Sequence, residues 1–357
     1  MNNKKKILII YNFLLHYRKP LFNFLSKDYD VTVLHSGKQT VSDEDLYNEI
    51  IVPIKNIGPF KLQIGLNKEI KNNYNVIIAL FDLSFLYTIY SIFIHCKSTR
   101  FILWGAWFTN SLLANKIRLL LTKKVDASIY YTYQSMQEFV KRGINQDNLY
   151  VANNTVDVGK RIKAYENNNK TRILFVGSLD KRKENDILIK AFANIIFEIP
   201  EDIVLTIIGD GPEYEKLRYL TKQFKIEKRV IFLGRINEPE RLKKYYTESI
   251  LSVSYGQAGL SVLQAMGFGV PFLTKNNAVS GGEITNIKHG INGLLCTNSI
   301  DSLENTLIYA TNNIKEMQKM GENAYYYYTK YCTIENYALG FKDAIENTRN
   351  ANVDYNL

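Results

Sequence analysis

The chain reads as an α/β protein built from two doubly wound domains, and three observations predict it. Its 357 residues are more than one ordinary core holds. β-Branched, strand-like runs alternate with helix-length segments through about residue 154. The alternation stops at the polar stretch "DVGKRIKAYENNNKT" and then restarts. The expected layout is an N-terminal domain over 1–158, a linker over 159–170, a C-terminal domain over 171–335, and a final helix over 336–357 packing back towards the N-terminal domain.

In chain order, strands are expected at "KILIIY", "VTVLH", "NVIIAL", "RFILWG", "ASIYYT" and "LYVANN". The segments "KPLFNFLSK", "SFLYTIYSIF", "SLLANKIRLLLTKK" and "QSMQEFVKRG" supply helices between them. Residues 76–96 are long and apolar enough to span a bilayer. Asp82 and Ser84 interrupt them, so a buried strand followed by a buried helix is the better reading. After the polar stretch come "RILFVG", "NDILIKAFANIIFE", "IVLTIIGDG", "EYEKLRYLTKQF", "RVIFLG", "EPERLKKYYTE" and "ILSVS", again strand and helix by turns. "GLSVLQAMGFGVPF" then reads as turn, helix, stop and strand. The aromatic segment "NAYYYYTKY" is helical in spacing; four successive tyrosines cannot all face one core, so some are expected to cover the joint between domains.

Composition narrows the function classes. Residues 1–155 carry 19 basic against 11 acidic side chains, most of the chain's net +10. That excess fits an anionic partner such as phosphate or a membrane surface, and equally fits solubility charge. Nucleic acid is disfavoured, because the basic residues are not interleaved with stacking aromatics in a compact run. Cys96, Cys296 and Cys332 are odd in number and lack metal-ligand spacing, so they read as buried thiols in a reducing compartment, with neither metal nor cofactor expected. "MNNKKK" is followed by His16, Arg18 and Lys19 without a small-residue cleavage site, which argues against a signal peptide.

The second half holds three glycine-bearing loops, each expected at the carboxyl end of a strand, where open α/β sheets bind ligands. In the first, Gly177 and Ser178 precede the cation pair Arg182 and Lys183, which suits a diphosphate. The second is the Gly209-Asp210-Gly211 turn with Pro212 placed to start a helix. In the third, Gly256 and Gly259 lead into a helix start near Leu260 that would point its positive end at an anion. Each loop alone is equally explained as a structural turn; their order and spacing together are the signal.

That series, "FVGSLDKRKENDILIKAF … LTIIGDGPEYEKL … GLSVLQAMGFGVPF … GGEITNIKHGINGLL", resembles the nucleotide-sugar half of family 4 glycosyltransferases over nearly all of residues 170–297. "YNFLLHYRKPLFNFL" and "VANNTVD" match the first half more loosely. The resemblance implies a retaining, metal-independent enzyme with two Rossmann-like domains facing across a cleft, the GT-B architecture. It implies Arg182, Lys183 and Glu283 as catalytic residues. It implies donor contacts from Gly177, Ser178, Gly209, Asp210, Gly211, Gly256, Gln257, Ala258, Gly259, Leu260 and Gln264. The expected partners are a nucleotide-diphospho-sugar and a sugar or lipid-linked glycan acceptor, in bacterial surface polysaccharide synthesis at the cytoplasmic face of the cell membrane.

Three departures stand out. The family's two glutamates, eight positions apart, are replaced by Gly256 and Gln264. One cation is missing at Ser178, and Ala106 stands where relatives often carry a histidine. On the acceptor side, His16, Arg18, Trp104 and Asp82 are the expected contacts. His16 and Arg18 fit a surface turn as well, and capping the next helix is the commoner role for Asp82. "ANKIRLLLTKK" is a core helix with solvated lysines or a peripheral contact with an anionic membrane. A non-catalytic nucleotide-sugar-binding subunit and a nucleotide-sugar epimerase of the same architecture are the rival functions.

Overall fold

The computed structural model describes residues 4–105 and 107–349; Ala106 and residues 350–357 of the expected final helix lie outside the described residues. The chain divides into two compact units. One runs to Asn154 and resumes at Ile334; the other is Thr155–Thr333.

The first unit contains β1 (Lys6–Ile10), α1 (Lys19–Ser26), β2 (Asp30–His35), β3 (Asn48–Ile51), β4 (Ile54–Ile57), β5 (Phe60–Gln63), α2 (Leu66–Glu69) and β6 (Val76–Leu80). It continues with α3 (Leu86–Ile94), β7 (Arg100–Trp104), α4 (Leu112–Thr122), β8 (Ala127–Tyr130), α5 (Tyr133–Val140) and β9 (Leu149–Val151). Seven strands form a parallel sheet in the order β3-β2-β1-β6-β7-β8-β9, while β4 and β5 make a separate antiparallel hairpin. Helices cover both faces, which is why the strands are near-continuous Ile, Val and Leu runs. Ile7 and Ile9 pack with Leu21, Phe22 and Phe341 on one face, and Leu8 and Ile10 with Leu66, Ile92 and Phe139 on the other.

In the second unit follow β10 (Arg172–Val176), α6 (Asn185–Asn194), β11 (Val204–Ile208), α7 (Tyr214–Gln223), β12 (Val230–Phe232), α8 (Pro239–Thr247) and β13 (Ser249–Val253). Then come α9 (Ser261–Gly267), β14 (Phe272–Lys275), β15 (Gly293–Cys296), α10 (Ile300–Asn312) and α11 (Ile314–Tyr331). Its parallel sheet runs β12-β11-β10-β13-β14-β15. Finally α12 (Ile334–Glu346) belongs to the first unit, burying Tyr337, Phe341 and Ala344 in that unit's core. The two sheets and their helices form two Rossmann-like domains, as the alternation predicts.

The structure corrects several expectations. Residues 159–170 are not a free linker. Ala164 is buried with its N–H bonded to Phe268 O, and the buried Lys170 donates to Ala164 O at 2.7 Å and Thr247 O at 3.0 Å. Helix α3 is not enclosed. It turns Thr88 and Ser91 inward, where Gln63 reaches Thr88, and leaves Tyr90 and Phe93 exposed. Within the tyrosine run, Tyr328 is buried and donates to Val156 O at 2.8 Å, while Tyr326 is exposed. Cys296 and Cys332 are buried but Cys96 is only half-buried. Among the described residues, no helix is long and apolar enough to cross a membrane.

Candidate functional site

In the second unit the chain winds outward from β10 to β12 and then, in the opposite sense, from β13 to β15. The loops leaving the carboxyl ends of β10 and β13 therefore diverge, which opens a crevice at that switch point. The three glycine loops lie here or next to it. They interlock through the backbone: Leu179 N–H bonds Asp210 O at 3.0 Å, Glu213 N–H bonds Leu179 O at 3.0 Å, and Gly256 N–H bonds Lys183 O at 3.1 Å. Gly209 is required by this closeness, since a Cβ there would collide with the Gly177 carbonyl oxygen.

The basic pair splits into two environments. Asp180 accepts from Arg182 Nε at 3.2 Å, Arg182 Nη2 at 3.0 Å and Ser178 Oγ at 2.8 Å. The Arg182 guanidinium holds this carboxyl below its usual pKa. Arg182 itself is 65 % exposed. Lys183 is buried beside Gly177, and among the described residues no acceptor lies within bonding distance of its ammonium. Burial lowers its pKa, opposed by the carboxylates of Asp180 and Glu283. A buried cation without a partner is costly unless an anion completes it.

Glu283, also buried, accepts from Gly281 N–H at 2.9 Å and Ser280 Oγ at 3.3 Å. The loop from Gly256 is braced by Val279, whose N–H bonds Gly256 O and whose carbonyl takes Ala258 N–H. Gln257 Oε1 and Ser261 Oγ are buried without a partner among the described residues, and the space around Gly259 is open. Helix α9 begins at Ser261, just after Leu260, and has only seven residues, so its dipole is a smaller contribution than the sequence suggests. Gln264 Oε1 accepts from the buried Tyr246 hydroxyl at 3.2 Å.

Gly256 has no room for a side chain. A Cβ there would run into the Arg182 carbonyl oxygen and lie 2.8 Å from Glu184 Cγ. Glu184 sits in the left-handed region (φ 52°) and pairs with the buried Lys275 at 2.6 and 2.8 Å. Neither residue is among those the sequence singles out; the only visible signal is a lysine ending the apolar run "VPFLTK".

The first unit has its own switch point, between β1 and β6. Asn12 Nδ2 donates to Asp82 Oδ2 at 2.9 Å across it, and Asp82 Oδ1 takes Ser84 N–H and Oγ in a local turn. Asn12 escapes the sequence reading, although it follows the first strand by only two residues. His16 is exposed. Arg18 and Trp104 are not surface contacts. Arg18 is enclosed, donating to Tyr337 Oη at 2.6 Å and Asn154 Oδ1 at 2.8 Å, with the buried Trp104 ring 5.1 Å away. This guanidinium and the rings around it hold the first unit together, so the direct acceptor role expected of both residues is corrected. No group of His, Cys, Asp and Glu among the described residues has a metal-holding arrangement. A separate open groove of about 730 Å³, with His289, Tyr309 and Glu316 among its lining, shares no residue with the glycine loops.

Two Rossmann-like units with glycine loops at a sheet switch point fit the GT-B type of fold. Residues 159–326 match the family described as glycosyl transferases group 1. The chain is 33 % identical over 124 residues to an N-acetyl-alpha-D-glucosaminyl L-malate synthase of Bacillus anthracis, covering 35 % of this chain and 31 % of that one. It is 27 % identical over 166 residues to a lipopolysaccharide 1,6-galactosyltransferase of Salmonella typhimurium, covering 45 % of each. The chain thus spans about a third to under half of the length of these curated relatives. The solved structure of HepE from Anabaena, in complex with UDP and glucose, has a similar fold, with TM-score 0.71, 15 % identity, and 96 % of this chain and 99 % of that one covered. The fold is thus similar to that of GT-B proteins, and residues 159–326 are similar to glycosyl transferases group 1.

Proposed function

We propose that this chain is a retaining glycosyltransferase of surface-polysaccharide synthesis. Its second unit takes a nucleotide-diphospho-sugar, and its first takes a sugar or lipid-linked glycan acceptor. The observation that carries this reading is the buried ammonium of Lys183 at the switch point, which has no hydrogen-bond acceptor among the described residues, in the same loop cluster as open Gly259. The family match over 159–326 and the UDP-bound structural relative support the choice of anion.

In the simplest mechanism the bond between the sugar's anomeric carbon and the diphosphate oxygen breaks. The acceptor oxygen bonds that carbon on the same face, and its proton passes to the departing diphosphate. Lys183 meets the negative charge that grows on the leaving group, an interaction stronger in the transition state than before it. Arg182 serves as an outer cation, since it must leave Asp180 to reach a ligand. Glu283 fixes its loop and offsets part of the cost of burying the Lys183 ammonium. Asp82 with Asn12, and exposed His16, are the acceptor-side candidates.

The membrane belongs to the same reading. Helix α4 exposes Leu112 (80 %), Leu113 (70 %) and Leu120 (63 %), with Lys116, Lys123 and Lys124 also exposed. An apolar stripe fringed by lysines suits an anionic bilayer surface. Flotation with phosphatidylglycerol vesicles should recover the protein, and Leu112→Glu with Leu120→Glu should abolish recovery; equal recovery by pure phosphatidylcholine would refute the electrostatic part.

The catalytic reading is tested by incubating candidate sugar nucleotides with varied acceptors. Release of nucleoside diphosphate that depends on acceptor and is lost in Lys183→Ala is expected. Tight donor binding with no turnover under any acceptor would instead mean a binding subunit.

A further inference from the structure

We infer that Glu184 is a specificity-determining residue of this site, accepting hydrogen bonds from hydroxyl groups of the donor's sugar ring; the inference rests on the donor-site reading above. Glu184 joins Lys183 to α6 in a left-handed conformation that non-glycine residues seldom adopt (φ 52°, ψ 40°). Such strain persists where surrounding contacts over-determine it, often at ligand sites.

Those contacts are specific. Lys275 ends β14, is buried, and gives hydrogen bonds to both Glu184 oxygens at 2.8 and 2.6 Å and to Asn298 Oδ1 at 3.0 Å, with Tyr255 beneath it at 5.0 Å. All three ammonium protons are therefore engaged, which fixes the carboxylate. A carboxylate has about four acceptor positions and Lys275 occupies two. The Glu184 side chain remains 30 % exposed, so the others are open to a ligand.

Its place decides what that ligand can be. Glu184 Cγ and Cδ lie 2.8 and 3.0 Å from where a Cβ of Gly256 would stand, so this carboxylate fills the space a side chain at 256 would need. It adjoins Lys183, whose ammonium suits phosphate. A carboxylate repels phosphate and can only accept, so the group it receives is a neutral donor. On a sugar nucleotide that means hydroxyls. Cation and carboxylate side by side thus sort the ligand, with diphosphate toward Lys183 and the sugar toward Glu184.

The rival is a purely structural clamp between this loop and β14. Calorimetry on the full chain separates the two, using UDP, ADP and GDP alongside UDP-glucose, UDP-galactose, ADP-glucose and GDP-mannose. The variants are Glu184→Gln, which keeps an acceptor for Lys275, and Glu184→Gly, which relieves the left-handed backbone. We expect both to lose about 10–100-fold in sugar-nucleotide affinity relative to the matching diphosphate. Diphosphate affinity itself should stay within about threefold of wild type. Equal losses for diphosphate and sugar nucleotide would reduce Glu184 to a clamp, and an unchanged ratio would also overturn the inference. If the wild-type chain binds none of these nucleotides, the donor-site reading fails first and takes this inference with it.

Discussion

Lys183 and Gly256 show how far single residues constrain the account. Lysine burial without a partner costs stability, so Lys183→Ala should leave the melting temperature unchanged or raise it while cutting kcat/KM by about 100-fold or more. Arg182→Ala should cost less, because its guanidinium is exposed and already spent on Asp180. Gln264→Glu keeps the acceptor that Tyr246 uses and should be tolerated, whereas Gln264→Leu strands that buried hydroxyl and should destabilise by about 1–3 kcal/mol on denaturant unfolding. Both basic residues were visible in the sequence as "DKRKE", but not their division into an exposed and a buried cation. Gly256 stands where the resemblance implies a glutamate. That Glu184 occupies the space beside it was not legible, because it depends on a positive φ and on a lysine about ninety residues away in the chain.

At the scale of elements, parallel strands read clearly because both faces are buried and every position can be apolar. β3, β4 and β5 did not, since "NEII", "IKNI" and "FKLQ" are short and, apart from the buried Gln63, exposed or half-buried. Helix α3 misled because its buried stripe carries Thr88 and Ser91 while Tyr90 and Phe93 face out. The supposed linker misled because "DVGKRIKAYENNNKT" is largely polar, which reads as solvated chain. Lys170 instead binds two carbonyls, and burial lowers its pKa to about 8. A lysine depressed in the folded state leaves the unfolded chain holding more protons between about pH 8 and the normal lysine pKa, so stability should rise with pH in that window. Chemical unfolding of wild type and Lys170→Met from pH 7 to 10.5 checks this, with the rise expected only in wild type, at about 1–3 kcal/mol.

For the molecule as a whole, the two-domain fold was legible from strand and helix alternation, and the likeness of residues 159–326 to glycosyl transferases group 1 from the order of the glycine loops. The return of the last helix is written in its apolar spacing, yet its anchors are long-range: Tyr337 receives Arg18, and Arg100 Nε donates to Ala344 O at 2.9 Å. Ending the chain at Thr333 should therefore expose the first unit's core and lower its melting temperature, leaving the second unit's transition in place in calorimetric scans. The central claim is that Lys183 receives the diphosphate of a sugar nucleotide. Thermal unfolding of wild type and Lys183→Ala in the presence of nucleoside diphosphates and sugar nucleotides tests it most directly. A ligand at about 100 times its Kd adds about 2.7 kcal/mol, so at least one should raise the wild-type melting point by several degrees and leave Lys183→Ala unmoved. No shift with any of them, or the same shift in both proteins, would contradict the claim.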